Sequence, residues 1–230
     1  CIRDSYRFVI ERSGNEHMEQ ALARLSEVYL ENRNYSEAIP LLKRLETEAD
    51  YAQNVIFAQS NLMKSYLQEN RYNEAVSYAE KVLANPEAEK EAKNDAQVII
   101  ARAAIKTGNE AKAKQAYAEV QKNATGELAA EALYYDAYFK HKAGNYKGSN
   151  DAVQKLAKEY SGYKLYGAKG LVLMGKNFYQ LDDAYQATYI LDNVVKNFSQ
   201  FPEVVQEAKQ ELARIKAEEA KTNASVETNN

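Results

Sequence analysis

Asn34-Tyr35-Ser36-Glu37-Ala38 returns along the chain as Arg71-Tyr72-Asn73-Glu74-Ala75 and as Asn109-Glu110-Ala111-Lys112-Ala113. It returns twice more, as Asn145-Tyr146-Lys147-Gly148-Ser149 and Asp183-Ala184-Tyr185-Gln186-Ala187. The last residues of the five copies stand 37, 38, 36 and 38 positions apart. Such a period marks an array of small units, each unable to bury its apolar face alone and so leaning on the next. Each copy reads as the turn between two helices, a leading helix A and a trailing helix B.

Outward from the turn, apolar residues recur at steps of three and four, one face per helix. In the first unit these are Leu22, Leu25 and Tyr29, then Ala38, Leu42 and Leu45. The second has Gln59, Leu62 and Tyr66, then Ala75, Ala79 and Val82; the fifth has Leu171, Met174 and Phe178, then Ala187, Leu191 and Val194. One helix A position is small in four units: Ser26, Ala101, Ala137 and Gly175. A side chain that small lets helix B of the same hairpin approach closely. Ala38, Ala75, Ala113, Ser149 and Ala187 do the same from helix B.

The reading divides the chain into hairpins at about 15–50, 52–86, 87–123, 126–161 and 163–200. Residues 1–14 read as a helix B without its helix A, which predicts further repeats ahead of Cys1. Residues 202–220 read as a polar-backed capping helix with Val205, Ala208, Leu212 and Ile215 inward, the closing element a solenoid needs for solubility. Residues 221–230 are polar and aromatic-free and are expected to be a disordered tail.

Composition agrees. Nine Gly and three Pro among 230 residues favour an all-helical chain, and 45% hydrophobic with 27% charged residues is ordinary for a soluble fold. A net charge of -3 gives no argument for nucleic acid or an anionic membrane surface. No apolar run is long enough for a membrane-spanning helix. The lone Cys1 rules out an intramolecular disulfide and a thiolate metal site. With no initiator Met and no signal peptide, the chain reads as cut from a longer one. Cys1 then has two readings, a lipidated lipoprotein terminus or an arbitrary boundary. Helical patterning from Ile2 to Arg12 leaves no flexible tether and favours the second.

The positions around each turn resemble the tetratricopeptide repeat: a large apolar residue, Leu, a small residue and Tyr on helix A, then Ala, a large apolar residue and Ala on helix B. The packing positions are Leu25, Tyr29, Ala38, Leu62, Tyr66, Ala75, Ala113, Ala137, Met174, Gly175, Phe178 and Ala187. The resemblance covers about residues 15–200 and implies an all-α, right-handed α-solenoid of stacked antiparallel helix pairs. The third unit departs from it, with Ala104 for the Tyr. The fourth departs further, with Asp136 and Lys140 at the Leu and Tyr places. These two are expected to pair on the surface while Leu133, Ala137 and Tyr134 or Tyr138 carry the packing.

Chemistry is scarce. Gly170-Leu171-Val172-Leu173-Met174-Gly175-Lys176-Asn177 nearly matches a phosphate loop, but Asn replaces the magnesium-binding hydroxyl and no strand precedes it. His17 and His141 lie in different repeats without ligand partners, His141 as a surface residue near a helix end. No nucleophile elbow occurs. The expectation is a non-enzymatic chain without metal or cofactor.

The resemblance implies binding of a protein or peptide on a concave face lined by helix A. Mapped here, that face holds Lys64, Arg102, Tyr134, Tyr138, His141 and Lys176, with Glu27, Ser60, Val98 and Val172 alongside. Cationic edges around a tyrosine patch suit an extended or helical peptide with acidic groups. The carboxyl-terminal clamp of some members needs Lys and Asn where this chain has Ala23 and Glu27. Asn197-Phe198-Ser199-Gln200-Phe201-Pro202-Glu203 is similar to bacterial cell-envelope members, of the outer-membrane assembly lipoprotein and Tol–Pal accessory types. That implies a periplasmic, outer-membrane-associated place in an envelope complex. The alternative is a cytoplasmic adaptor segment whose effector domain lies upstream.

Overall fold

A computed structural model of the protein describes residues 2–12 and 17–227, with side chains for 3–12 and 17–221. Cys1, and with it the lipid-anchor reading, lies outside the described residues. Among those described, the chain forms twelve α-helices and no strand. Helix α1 (Ile2–Ile10) is followed by five hairpins. They are α2 (Met18–Glu31) with α3 (Tyr35–Glu48), α4 (Ala52–Gln68) with α5 (Tyr72–Ala84), and α6 (Lys90–Lys106) with α7 (Glu110–Asn123). Then come α8 (Gly126–Lys142) with α9 (Tyr146–Glu159), α10 (Lys164–Gln180) with α11 (Ala184–Asn197), and finally α12 (Pro202–Glu227). This is an all-α helical-repeat fold of the solenoid kind.

The residue that reverses the chain stands just before each quoted turn. Arg33, Asn70, Gly108, Gly144 and Asp182 adopt φ of 56°, 58°, 73°, 75° and 62°, and they recur at the spacing of the repeat. The next N–H reaches back to the last turn of helix A: Asn34 to the Tyr29 carbonyl at 2.8 Å, Arg71 to Tyr66 at 2.8 Å, Asn109 to Ala104 at 2.8 Å. Asn145 bonds Lys140 and Asp183 bonds Phe178 in the same way, both at 2.9 Å. This is the left-handed helix stop, which satisfies carbonyls a helix end would otherwise orphan. Helix B then restarts under a side-chain cap in three hairpins. Asn109 Oδ1 accepts from the Lys112 N–H at 3.1 Å, Asn145 Oδ1 from Gly148 at 3.0 Å, and Asp183 Oδ1 from Gln186 at 2.9 Å.

The chain divides into two compact units, Cys1–Val120 and Gln121–Asn230. In the first, α2 packs on α3 and α4, and α4 on α5 and α6; in the second, α8 packs on α9 and α10, and α10 on α11 and α12. Within each unit, successive A helices therefore stand side by side. Leu25, Tyr29, Ala38, Leu62, Tyr66, Ala75, Ala113, Ala137, Met174, Gly175 and Ala187 are buried, and Phe178 is half-buried.

The small helix A position works by close approach. A Cβ on Gly175 would stand 2.7 Å from Leu191 Cγ, closer than real contacts allow. Sixteen residues separate the two, and the same offset links Met63 to Ala79, both fully buried. The large residue has changed sides while the pair keeps its combined size. Sequence reading saw the small residues and missed this exchange.

Three details differ from expectation or refine it. Val204, not Val205, joins Ala208, Leu212 and Ile215 against the core, because α12 turns its apolar stripe one residue earlier. α12 also runs on to Glu227, past residue 220, where the tail was expected to begin. No Gly or Pro interrupts residues 203–227, so nothing local stops the helix. Lys140 and Asp136 pair at 2.8 Å on a partly exposed surface, with Leu133 and Ala137 buried beneath.

Candidate functional site

The second unit holds a cavity of about 520 Å³ where α8, α10 and the start of α12 meet. Its walls include Tyr134 from α8, Leu165 and Lys169 from α10, and Phe201, Val204 and Glu207 around the start of α12. Pockets of this size accommodate small ligands or a few side chains. Tyr134 is positioned from below: its ring meets Tyr135 at 5.0 Å and Tyr166 at 6.2 Å and packs on the buried core of α8, α9 and α10. Burial, then the neighbouring Tyr135 and the Glu207 carboxylate, pushes its hydroxyl well above the usual phenol range. It stays neutral at any physiological pH. Tyr166, behind it, donates to the buried Glu131 carboxylate at 2.8 Å.

The cations divide sharply. Lys176 Nζ lies 2.6 Å from Glu207 of α12, and Lys64 Nζ lies 2.6 Å from Asp95 of α6 in the first unit. Both bridge to the next A helix at the same offset of 31 residues, so their charge is spent on the stack. Lys169 is different. Among the described residues it makes no ion pair, and its ammonium sits 5.8 Å from the Tyr134 ring and 5.7 Å from the Tyr166 ring. Each ring face attracts a cation but leaves its charge uncancelled.

The remaining expected groove residues scatter. Tyr138 is half-buried against Phe139 at 5.4 Å, with the Lys142 ammonium 6.0 Å from its ring, and lies one turn beyond the cavity. Arg102 is half-buried on α6, and Glu27 is tied to Arg24 at 2.9 Å. Val98 and Val172 are buried, so they do not line a groove.

His141, expected as a surface residue near a helix end, is half-buried and tied into the core. Its Nδ1 lies 2.6 Å from Asn177 Oδ1, and its ring sits tilted against Tyr146, 5.6 Å between centroids. Asn177 is fully buried and donates to Ser149 Oγ and Asn150 Oδ1, each at 2.8 Å, while Ser149 donates to the Ala137 carbonyl at 2.8 Å. With the Asn177 amide nitrogen so committed, its oxygen must accept, and His141 carries its proton on Nδ1. The network joins α8, α9 and α10. It also disposes of the phosphate-loop match, because residues 170–177 are continuous helix and Asn177 is a core residue. Asn177 is visible in the sequence only as a polar residue next to a packing position.

The first unit has a cavity of about 450 Å³ between α2 and α4, lined by Glu19, Arg24, Glu27, Tyr51, Asn54 and Phe57 among others. Glu19 accepts from the Asp50 N–H at 2.8 Å and from Asn54 Nδ2 at 2.7 Å, fastening the start of α4. Among the described residues no group of His, Cys, Asp and Glu could hold a metal, and no helix is long and apolar enough to cross a membrane.

No protein-family model matches the chain, and no curated protein matches it. Solved structures do. YrrB, a TPR protein with an unusual peptide-binding site, is similar at TM-score 0.63 and 13% identity, over 90% of this chain and 99% of that one. A tetratricopeptide repeat protein from Parabacteroides merdae ATCC 43184 is similar at TM-score 0.52 and 15% identity, over 90% and 91%. At such identities the likeness is one of fold, and the fold of this chain is tetratricopeptide-like.

Proposed function

We propose that this chain is a non-enzymatic scaffold that holds a protein or peptide segment on its helix A face. The observation that carries the reading is the cavity of the second unit, where tyrosine, apolar side chains and an unpaired lysine converge from three helices. A concave site that mixes apolar walls (Leu165, Phe201, Val204) with polar and charged groups (Tyr134, Lys169, Glu203) offers what recognition of a short segment requires. YrrB, which shares the fold, has a peptide-binding site, and this supports the same use here. His141, the one histidine of the second unit, is engaged in packing, which favours a scaffold over a catalyst.

Panning a random peptide library against the protein tests this. Enriched peptides should lose about tenfold or more in affinity when Leu165, in the cavity wall, is changed to Ser, with circular dichroism unchanged. A library that yields no enriched sequence sinks the proposal. A periplasmic place in a bacterial envelope complex belongs to the same proposal and rests on the phrase from Asn197 to Glu203. Cell fractionation that finds the intact protein in the cytoplasm would reject that part and favour the adaptor alternative.

A further inference from the structure

Lys169 stands out in the second unit as a cation that the fold has placed but not neutralised. Its neighbour on the same stripe, Lys176, is held by Glu207 at 2.6 Å. Lys169 faces two aromatic rings, and the cavity wall beside it carries Leu165, Phe201 and Val204 together with two carboxylates, Glu203 and the Glu207 that Lys176 already holds. No carboxylate of the cavity comes within ion-pair distance of Lys169, so an ammonium flanked by Leu165 and Val204 is complementary to an anion that carries an apolar group with it.

We infer that this cavity is an anchor subsite for an extended segment with an acidic residue at one position and an apolar or aromatic residue two positions away. This rests on the scaffold reading and names what its face would take. The geometry of an extended chain supplies the spacing. Successive side chains alternate faces, so residues i and i+2 point the same way, about 6–7 Å apart. The carboxylate meets the Lys169 ammonium and the apolar side chain enters against Leu165 and Val204. Tyr138, half-buried, follows Tyr134 one turn further along α8. Glu203 lines the cavity too, and among the described residues it has no partner. It opposes a second carboxylate, so the subsite selects one acidic residue rather than a cluster.

The probe is an N-acetylated, C-amidated pentapeptide Gly-Asp-Gly-Phe-Gly, titrated into the full chain and followed by NMR shifts of the Leu165 and Val204 methyls. Shifts at those methyls with saturation are expected, and affinity about tenfold or more weaker when Asp is replaced by Asn. Lys169→Gln should abolish the preference for Asp over Asn. Lys169→Glu should reverse it in favour of a peptide with Lys at that position. If the blocked peptide binds elsewhere, or Lys169→Gln keeps the full preference, the subsite is overturned while the scaffold reading stands. A preference for Gly-Phe with a free carboxyl terminus over the blocked peptide also overturns it, because the cavity then takes a chain end. If neither this probe nor any library peptide binds, both readings fall.

Discussion

Gly175→Ala sets two effects of opposite sign against each other. In a helix interior, Ala is favoured over Gly by about 0.8–1 kcal/mol. At Gly175 the added Cβ would stand 2.7 Å from Leu191 Cγ, 3.0 Å from Cδ2 and 3.3 Å from Cδ1. Leu191 is fully buried, and Cγ is the branch point next to its own backbone, so it cannot swing away as a chain end could. Overpacking of this kind costs about 1–3 kcal/mol, and the clash wins. The net expectation is destabilisation of about 0–2 kcal/mol, read as a lower urea midpoint by circular dichroism at unchanged slope. The same helix supplies the control. Gly167 has nothing within 4 Å of its would-be Cβ, so Gly167→Ala should stabilise by up to about 1 kcal/mol. The stronger form of the test copies the second repeat into the fifth. Leu191→Ala alone should cost about 2–5 kcal/mol, and Gly175→Met alone should overpack. Together they recreate Met63 and Ala79 and should recover most of the loss, with a coupling of at least about 2 kcal/mol. Additive effects in that cycle, or a Gly175→Ala that stabilises as much as Gly167→Ala, would refute the close-approach account.

The left-handed turns should respond to glycine in both directions: Arg33→Gly or Asp182→Gly gains up to about 1 kcal/mol, and Gly108→Ala loses about 1 kcal/mol. Equal urea midpoints for all three would show that the turn conformation is not what limits them. Glu19 supplies a pH dependence. Burial raises its pKa, but hydrogen bonds from the Asp50 N–H, the Asn54 amide and the Tyr51 N–H outweigh it, and the net value is lowered. A lowered folded pKa gives stability that is complete above the unfolded carboxylate range, near about 4.3, and is lost as pH falls through the folded value. The urea midpoint should therefore drop more between pH 6 and pH 3 in the parent than in Glu19→Gln; equal drops refute the fastening role. Asn177→Ala should cost about 2 kcal/mol or more, since it strands His141 Nδ1 and the Ser149 and Asn150 side chains. Nitrogen-15 NMR of the parent at neutral pH should place the His141 proton on Nδ1, and an Nε2 proton would contradict the network's direction.

The hairpins were legible because their signal is local and repeated. A face of apolar residues at steps of three and four, broken by Asn-Tyr or Asp-Ala at a fixed period, leaves little freedom over where helices begin and end. The left-handed residue was not legible. Gly108, Gly144, Asn70 and Asp182 are types that tolerate a positive φ, but Arg33 is not, and Gly, Asn and Asp also occur at many positions that are not left-handed, so only the backbone unites the five. The site was half legible for a related reason. Tyr134 and Tyr138 fall on one stripe by spacing alone. Lys176 and Lys64 looked open because their neutralising partners, Glu207 and Asp95, belong to the next A helix. Their shared offset of 31 residues was in the sequence as a signal: opposite charges one repeat apart on facing stripes. Lys169 has no acidic partner at that offset, since residue 200 is Gln. The same comparison therefore singles it out.

That contrast bears on what the repeat can vary. The repeat asks each A helix to meet its own B helix with matched volume and the next A helix with matched charge, and it is indifferent to which side supplies which. Gly175 with Leu191 and Met63 with Ala79 satisfy the volume condition from opposite ends, and Lys176 with Glu207 and Lys64 with Asp95 satisfy the charge condition. A position that meets neither condition is not serving the stack. Lys169 is such a position: its charge is unmatched, and its side chain lies over rings that the core already holds in place. An unmatched charge kept half-buried costs stability unless something outside the chain answers it. Lys169→Met should consequently leave the urea midpoint unchanged or raise it, while abolishing the acidic preference of any bound peptide. A Lys169→Met protein that is less stable by more than about 1 kcal/mol would show instead that the ring contacts are structural, and that the stack had a use for this lysine after all.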